Sequence, residues 1–104
     1  MIDDVITLVA ETVTGVDSNG NEIVETSTNE VFCRVRNVTR SEFYTAATAN
    51  LHPEFVFILS DLADYSGQKL VEYRGVKYSV IRTYQNTDNL NEIELTVERK
   101  IGNG

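Results

Sequence analysis

The 104-residue chain carries sixteen Asp and Glu against nine Lys and Arg, a net charge of −7, with 41% hydrophobic residues and a single cysteine. That length suits one domain with one core, which buries roughly 65% of its unfolded surface without help from metals or disulfides. The composition excludes disordered, collagen-like and repeat architectures, and the acidic balance opposes tight nucleic-acid binding through counterion release.

The chain opens on Met1-Ile2-Asp3-Asp4, with acids where a secretion signal would carry positive charge, which sets the expectation of a cytoplasmic protein. Residues 5–14 and 22–27 are rich in Val, Ile and Thr, and Asp17-Ser18-Asn19-Gly20-Asn21 lies between them. This pattern predicts a hairpin, with Asn19-Gly20 accepting the positive φ values of a type I′ turn. Residues 30–38 then alternate, Val31, Cys33 and Val35 on one face and Phe32, Arg34 and Arg36 on the other, and predict a third strand.

Thr39-Arg40-Ser41-Glu42 matches the S/T-x-x-E capping box, so a helix of two or three turns is expected over the following residues, ended by Asn50 and Pro53. It is short and weakly apolar, with small alanines, and reads as a protruding arm more than as a core helix. Residues 54–60 are continuous β-prone hydrophobe, with Phe55, Phe57 and Leu59 on one face and Val56 and Ile58 on the other. A two-sided apolar strand needs either a closed barrel with something packed outside it or a subunit contact, for which Val56 and Ile58 are the candidates. Its longest purely apolar run, Phe55 to Leu59, is far below the roughly 20 residues that cross a bilayer, so no membrane segment is expected.

Turn formers occupy residues 61–67, a second hairpin pairs residues 68–73 with 76–84 across Arg74-Gly75, and the loop 85–89 leads to the alternating segment 92–98. The whole predicts a single all-β domain over residues 1–104, a small antiparallel β-barrel or sandwich of about six or seven strands, with a helical or loop excursion over 39–53 after the third strand.

Chemistry is sparse. The only histidine, His52, sits beside Pro53 in a predicted loop, and Cys33 shares its face with Val31 and Val35, the pattern of a buried thiol. Asp61-x-x-Asp64 lacks the ligand series and glycine of a calcium loop, and there is neither a phosphate-binding glycine motif nor a nucleophile elbow. No catalytic, cofactor-binding or metal-ligating residue is assigned, and no enzyme is expected. Arg34, Arg36 and Arg40 form the one local concentration of positive charge. They fit either an acidic-partner patch or cross-strand pairing with glutamates such as those of the last strand.

Four segments in order, residues 40–46 (Arg40-Ser41-Glu42-Phe43-Tyr44-Thr45-Ala46), 53–57 (Pro53-Glu54-Phe55-Val56-Phe57), 73–84 (Tyr73 to Tyr84, with Val80-Ile81-Arg82-Thr83-Tyr84) and 94–100 (Glu94-Leu95-Thr96-Val97-Glu98-Arg99-Lys100), resemble the head-tail joining, or head-closure, proteins of tailed bacteriophages. The resemblance covers nearly the whole chain. It implies a structural connector at the virion neck, made in the host bacterial cytoplasm, that forms a homo-oligomeric ring beneath the portal and adaptor, encloses DNA without reading its sequence, and docks the tail; alone, the chain would be a monomer or assemble only on docking. It implies that the 39–53 excursion is an arm toward the channel, carried by Arg40, Ser41, Glu42, Phe43, Tyr44, Ala46, Ala47 and Asn50. The alternatives are a tail-terminator or other neck protein, and a small β-barrel binding module with Tyr73, Tyr78 and Tyr84 as stacking platforms, which the net charge opposes.

Overall fold

The computed structural model describes residues 2–86, 88 and 91–100; Met1 and, in the last predicted loop, Thr87 and Asn89 lie outside the described residues. Six antiparallel strands close into a barrel in the order β1-β2-β3-β6-β5-β4, with β4 returning to β1. They are β1 (Ile2–Val16), β2 (Glu22–Asn37), β3 (Pro53–Leu59), β4 (Leu70–Tyr73), β5 (Val76–Gln85) and β6 (Ile93–Arg99). Among the described residues one helix, α1 (Arg40–Ala47), follows β2, and a 3-10 turn, Leu62–Asp64, follows β3.

The expectation of an all-β barrel of about six or seven strands holds, with one correction to where the strands divide. The segments expected as separate strands at 22–27 and 30–38 form the single strand β2, so the helical excursion comes after the second strand. Thr28 and Asn29 break no hydrogen bonding: they pair with Val9 and Leu8 in unbroken register. The first turn also differs from expectation, since only Gly20 takes positive φ. Asp17 closes it by accepting the amides of Asn19 and Asn21 on Oδ1, both at 2.9 Å. The Arg74-Gly75 turn is the tight two-residue kind, with φ of 51° and 80° and Tyr73 opposite Val76.

Period-two alternation builds the core. Ile6, Leu8, Val31, Cys33, Val35, Phe57, Leu59, Val71, Tyr73, Tyr78, Ile93, Leu95 and Val97 point inward and form one buried cluster. The connection from β3 to β4 crosses one end of the barrel, and its Leu62 and Tyr65 pack against the core there. Asp61 caps the short 3-10 turn by accepting the Ala63 amide at 2.9 Å, which gives that carboxylate a structural task.

Beyond this end, β1 and β2 continue alone. β1 pairs with β4 only at residues 7–9, and β2 pairs with β3 only at residues 34–37, yet the two strands stay paired with each other out to Val16 and Glu22. Residues 10–16 and 22–29 therefore form a two-stranded ribbon reaching about 20 Å past the barrel, at about 3.4 Å per residue, and the molecule is 49 Å long against 30 and 25 Å in cross-section.

Candidate functional site

Most residues singled out by sequence lie on two surfaces, the outer wall of β2, β3 and β6 with helix α1 and the open mouth of the barrel; the ribbon is a third surface.

On the wall, the register sets Arg36, Val56 and Thr96 side by side, and Arg34, Ile58 and Glu94 in the next row. Arg36 reaches across β3 to Glu94 at 3.1 Å and up to Glu42 of α1 at 2.8 Å, while Arg34 pairs with Glu92. Ion pairs thus bridge β2 to the β6 end above β3, and they cover its outer apolar residues. Val56 is 0% exposed and Ile58 5%, so the chain itself supplies the cover. This corrects the reading of Val56 and Ile58 as a subunit contact: neither has surface left to offer. The acidic-partner patch of Arg34, Arg36 and Arg40 is corrected likewise, because two of its three guanidinium groups are spent on the cross-strand glutamates. Arg40 alone has no ion-pair partner among the described residues.

Glu42 is the hinge of the wall. It completes the expected capping box, accepting the Thr39 amide at 2.9 Å while its own amide donates to Thr39 Oγ1 at 3.1 Å. The bidentate hydrogen bonds from Arg36, at 2.8 and 3.0 Å, hold its carboxyl down at about 2. Helix α1 is therefore pinned to the barrel at its first turn. Its exit is fixed too: Asn50 takes φ of 60° and the Leu51 amide donates to the Ala46 carbonyl at 3.0 Å.

Of the residues expected on the arm, Arg40, Ser41, Phe43, Tyr44, Ala47 and Asn50 are exposed, and Glu42 and Ala46 are half-buried against the wall. Phe43 and Tyr44 stand edge to face with ring centroids 6.1 Å apart, and both rings are open to solvent.

The mouth lies at the end opposite the ribbon. Phe55, Phe57, Tyr73 and Tyr78 pack as a cluster of four rings, with centroids 5.1 to 6.5 Å apart, beneath a depression of about 430 Å³ rimmed by Asn37, Arg74 and Val76. Tyr73 donates to Asp4 at 3.0 Å, and Arg74 closes on the same carboxylate at 2.7 Å. The Val5 amide, then Arg74 and Tyr73, lower the Asp4 carboxyl, while burial and the Asp4 bond raise the Tyr73 phenol. Tyr73 and Tyr78 are only 7% and 3% exposed, so they are core residues and not stacking platforms; Tyr84 remains on the surface.

The remaining candidates carry no assembled chemistry. Cys33 is buried in the core and His52 is exposed on the loop before β3. Among the described residues no group of three or more His, Cys, Asp or Glu gathers as a metal site, and no helix is long and apolar enough to cross a membrane.

The ribbon is what sequence reasoning missed. Along the outward face of β1 and β2, from the barrel into the ribbon, run Val5 with Phe32, Thr7 with Glu30, Val9 with Thr28, Glu11 with Thr26 and Val13 with Val24. Phe32 is 80% exposed, an unusual position for a phenylalanine at a strand centre. The signal that could have found it is charge: residues 1–33 hold seven acids and no Lys or Arg, whereas the rest of the chain holds nine of each. Comparison with protein-family models and with curated proteins gives no match to this chain.

Proposed function

We propose that this chain is a structural connector of a tailed-phage particle, which closes the DNA-filled head beneath the portal and presents a docking surface for the tail. The observation that carries the reading is the ordered resemblance of segments 40–46, 53–57, 73–84 and 94–100 to head-closure proteins. The small closed barrel agrees with it, as does an acidic surface, which repels phosphates and would let a DNA duplex pass without gripping it. The role is mechanical, and helix α1 with Phe43 and Tyr44 is the element assigned to the channel.

The test is genetic and structural. Disrupting the coding sequence in the phage that carries it gives DNA-filled heads that leak, together with free, complete tails, and adding the purified chain restores joining. Immunolabel on filled heads supports closure; label confined to isolated tails replaces the reading with a tail terminator; normal particles without the chain overturn it. The double variant Phe43→Ala with Tyr44→Ala keeps its far-ultraviolet circular dichroism and its melting temperature but lets packaged DNA escape. If it fails to fold, the helix belongs to the core and not to the channel.

A further inference from the structure

The barrel is closed unevenly. Its shortest seam is β1-β4, paired only as Thr7 with Glu72, Leu8 with Val71 and Val9 with Leu70. The β2-β3 seam is nearly as short, at residues 34–37 and 55–58, but the Arg34-Glu92 and Arg36-Glu94 ion pairs reinforce it, and Val56 and Ile58 are buried under them. Across β1-β4 the support is different at the two ends. Toward the ribbon the seam is held by Leu8 opposite Val71, both 0% exposed. Toward the mouth the ladder stops at Thr7 and Glu72, and side chains take over. Asp4, in the inward row of β1 with Ile6 and Leu8, accepts on Oδ2 from the Tyr73 hydroxyl at 3.0 Å and from Arg74 Nη2 and Nε at 2.7 and 3.2 Å. Its Oδ1 accepts the Val5 amide at 2.8 Å. The Arg74 guanidinium also lies 5.2 Å from the centroid of the Tyr73 ring, and its side chain is 66% exposed.

We propose that the β1-β4 seam is the line along which the barrel opens, and that Asp4 is the latch holding it shut. On release, the tip of the β4-β5 hairpin, Tyr73-Arg74-Gly75-Val76, swings away from β1 about the buried Leu8-Val71 row. Three features set this course. β1 does not follow the tip, because Ile2 to Ile6 stay paired with Val31 to Val35 of β2. The tip moves as a unit, because Tyr73 pairs with Val76 across a two-residue turn. An exposed ion pair is a weak and reversible tie, so opening at the mouth costs far less than unfolding the closed barrel. In the opened state Tyr73 leaves the rings of Phe55, Phe57 and Tyr78, which then line an open mouth. Cys33, buried in the same cluster and directly opposite Asp4 on β2, loses its cover at the same moment. The device goes beyond the connector reading and needs no phage component.

The chain's only cysteine serves as the probe. Alkylation of Cys33 by iodoacetamide is followed by mass spectrometry on the full chain in native buffer and in low urea, beside the rate of global unfolding. Wild type labels faster than global unfolding allows and with little dependence on urea, because a local opening exposes little surface. Asp4→Asn, and Arg74→Gln from the other side of the same pair, raise the labelling rate about five- to tenfold. Glu54→Gln breaks the Arg99 pair between β3 and β6 at the same end of the barrel and leaves the rate unchanged. Thr7→Cys with Glu72→Cys, oxidised across the seam, slows labelling of Cys33 to the global rate and cancels the effect of Asp4→Asn. The proposal is overturned if labelling tracks global unfolding in every variant, if Glu54→Gln accelerates it as much as Asp4→Asn, or if the cross-link leaves it unchanged. None of these outcomes bears on the connector reading, and failure of the phage experiments leaves the latch standing.

Discussion

Strands β1 and β2 are locked into the barrel over one half of their length and leave it over the other, and the two halves differ in what faces inward. Within the barrel the inner positions are Ile6, Leu8, Val31, Cys33 and Val35, all buried. Beyond Leu8 the same face becomes Asn29, Ala10, Ser27, Thr12 and Glu25, four polar residues and one small alanine, too little apolar surface to extend the core. The hydrogen-bonded ladder does not notice the change, since it needs only backbone, and the strands run on as a ribbon. Barrel membership is thus decided by side chains on one face, and strand length by the absence of a breaker.

The sharpest way to break the barrel half is to remove its central ring. Phe57 is 0% exposed and packs against Phe55, Tyr73 and Tyr78. Phe57→Ala should cost about 3 to 5 kcal/mol, measured by urea unfolding, because the barrel walls cannot collapse into the space left. A cost below about 1 kcal/mol would mean that the ribbon and the wall ion pairs, and not the barrel core, hold the fold.

An intermediate effect is expected at the wall, where α1 is tied to the barrel. Glu42→Ala removes both the capping-box acceptor and the Arg36 partner, and should cost about 1 to 2 kcal/mol. Arg36 holds the Glu42 carboxyl at about 2, below its ordinary 4.5, so its contribution is present at neutral pH and is lost as pH falls from about 4.5 toward 2. The gap in stability between wild type and Glu42→Gln should therefore be open at neutral pH and close over that acid range. A gap independent of pH would show that the charge plays no part.

Much of the barrel was legible in the sequence because alternation and turn chemistry are local signals. Val31, Cys33 and Val35 were assigned to one face, Arg74-Gly75 to a tight turn and Thr39 with Glu42 to a capping box, and each stands so in the structure. What was not legible depends on neighbours. Pairing of Arg36 with a last-strand glutamate was one of two readings open in the sequence, but that it spans β3 over Val56 and Ile58, between residues 58 positions apart, depends on strand order, which no local pattern encodes. The gap between the segments 22–27 and 30–38 holds Asn29, a residue that strands disfavour, but pairing with Leu8 of β1 overrides that propensity. The ribbon escaped notice for the same reason: a hairpin signal gives the turn and the pairing, and says nothing about where a third strand stops.

The smallest expected effect is the most telling for the ribbon half. Val13 and Val24 face each other across its outer surface at 53% and 49% exposure, with no barrel strand beside them. Val13→Thr with Val24→Thr keeps the β-branched shape and the strand propensity while replacing two methyl groups by hydroxyls that water can solvate. Unfolding free energy should change by no more than about 0.5 kcal/mol, as for surface positions without special contacts. The same threonine substitutions at Ile6 and Leu8, five to seven residues back along β1 and inside the barrel, would bury hydroxyls in the core and unfold it. Amide hydrogen exchange adds the spatial detail: residues 10–16 and 22–29 should exchange fast and residues 5–8 and 31–36 slowly, with the boundary between Leu8 and Ala10. Slow exchange out to Val16 in a monomeric sample would show the ribbon to be held by something other than the barrel, and would move the dividing line between the two halves.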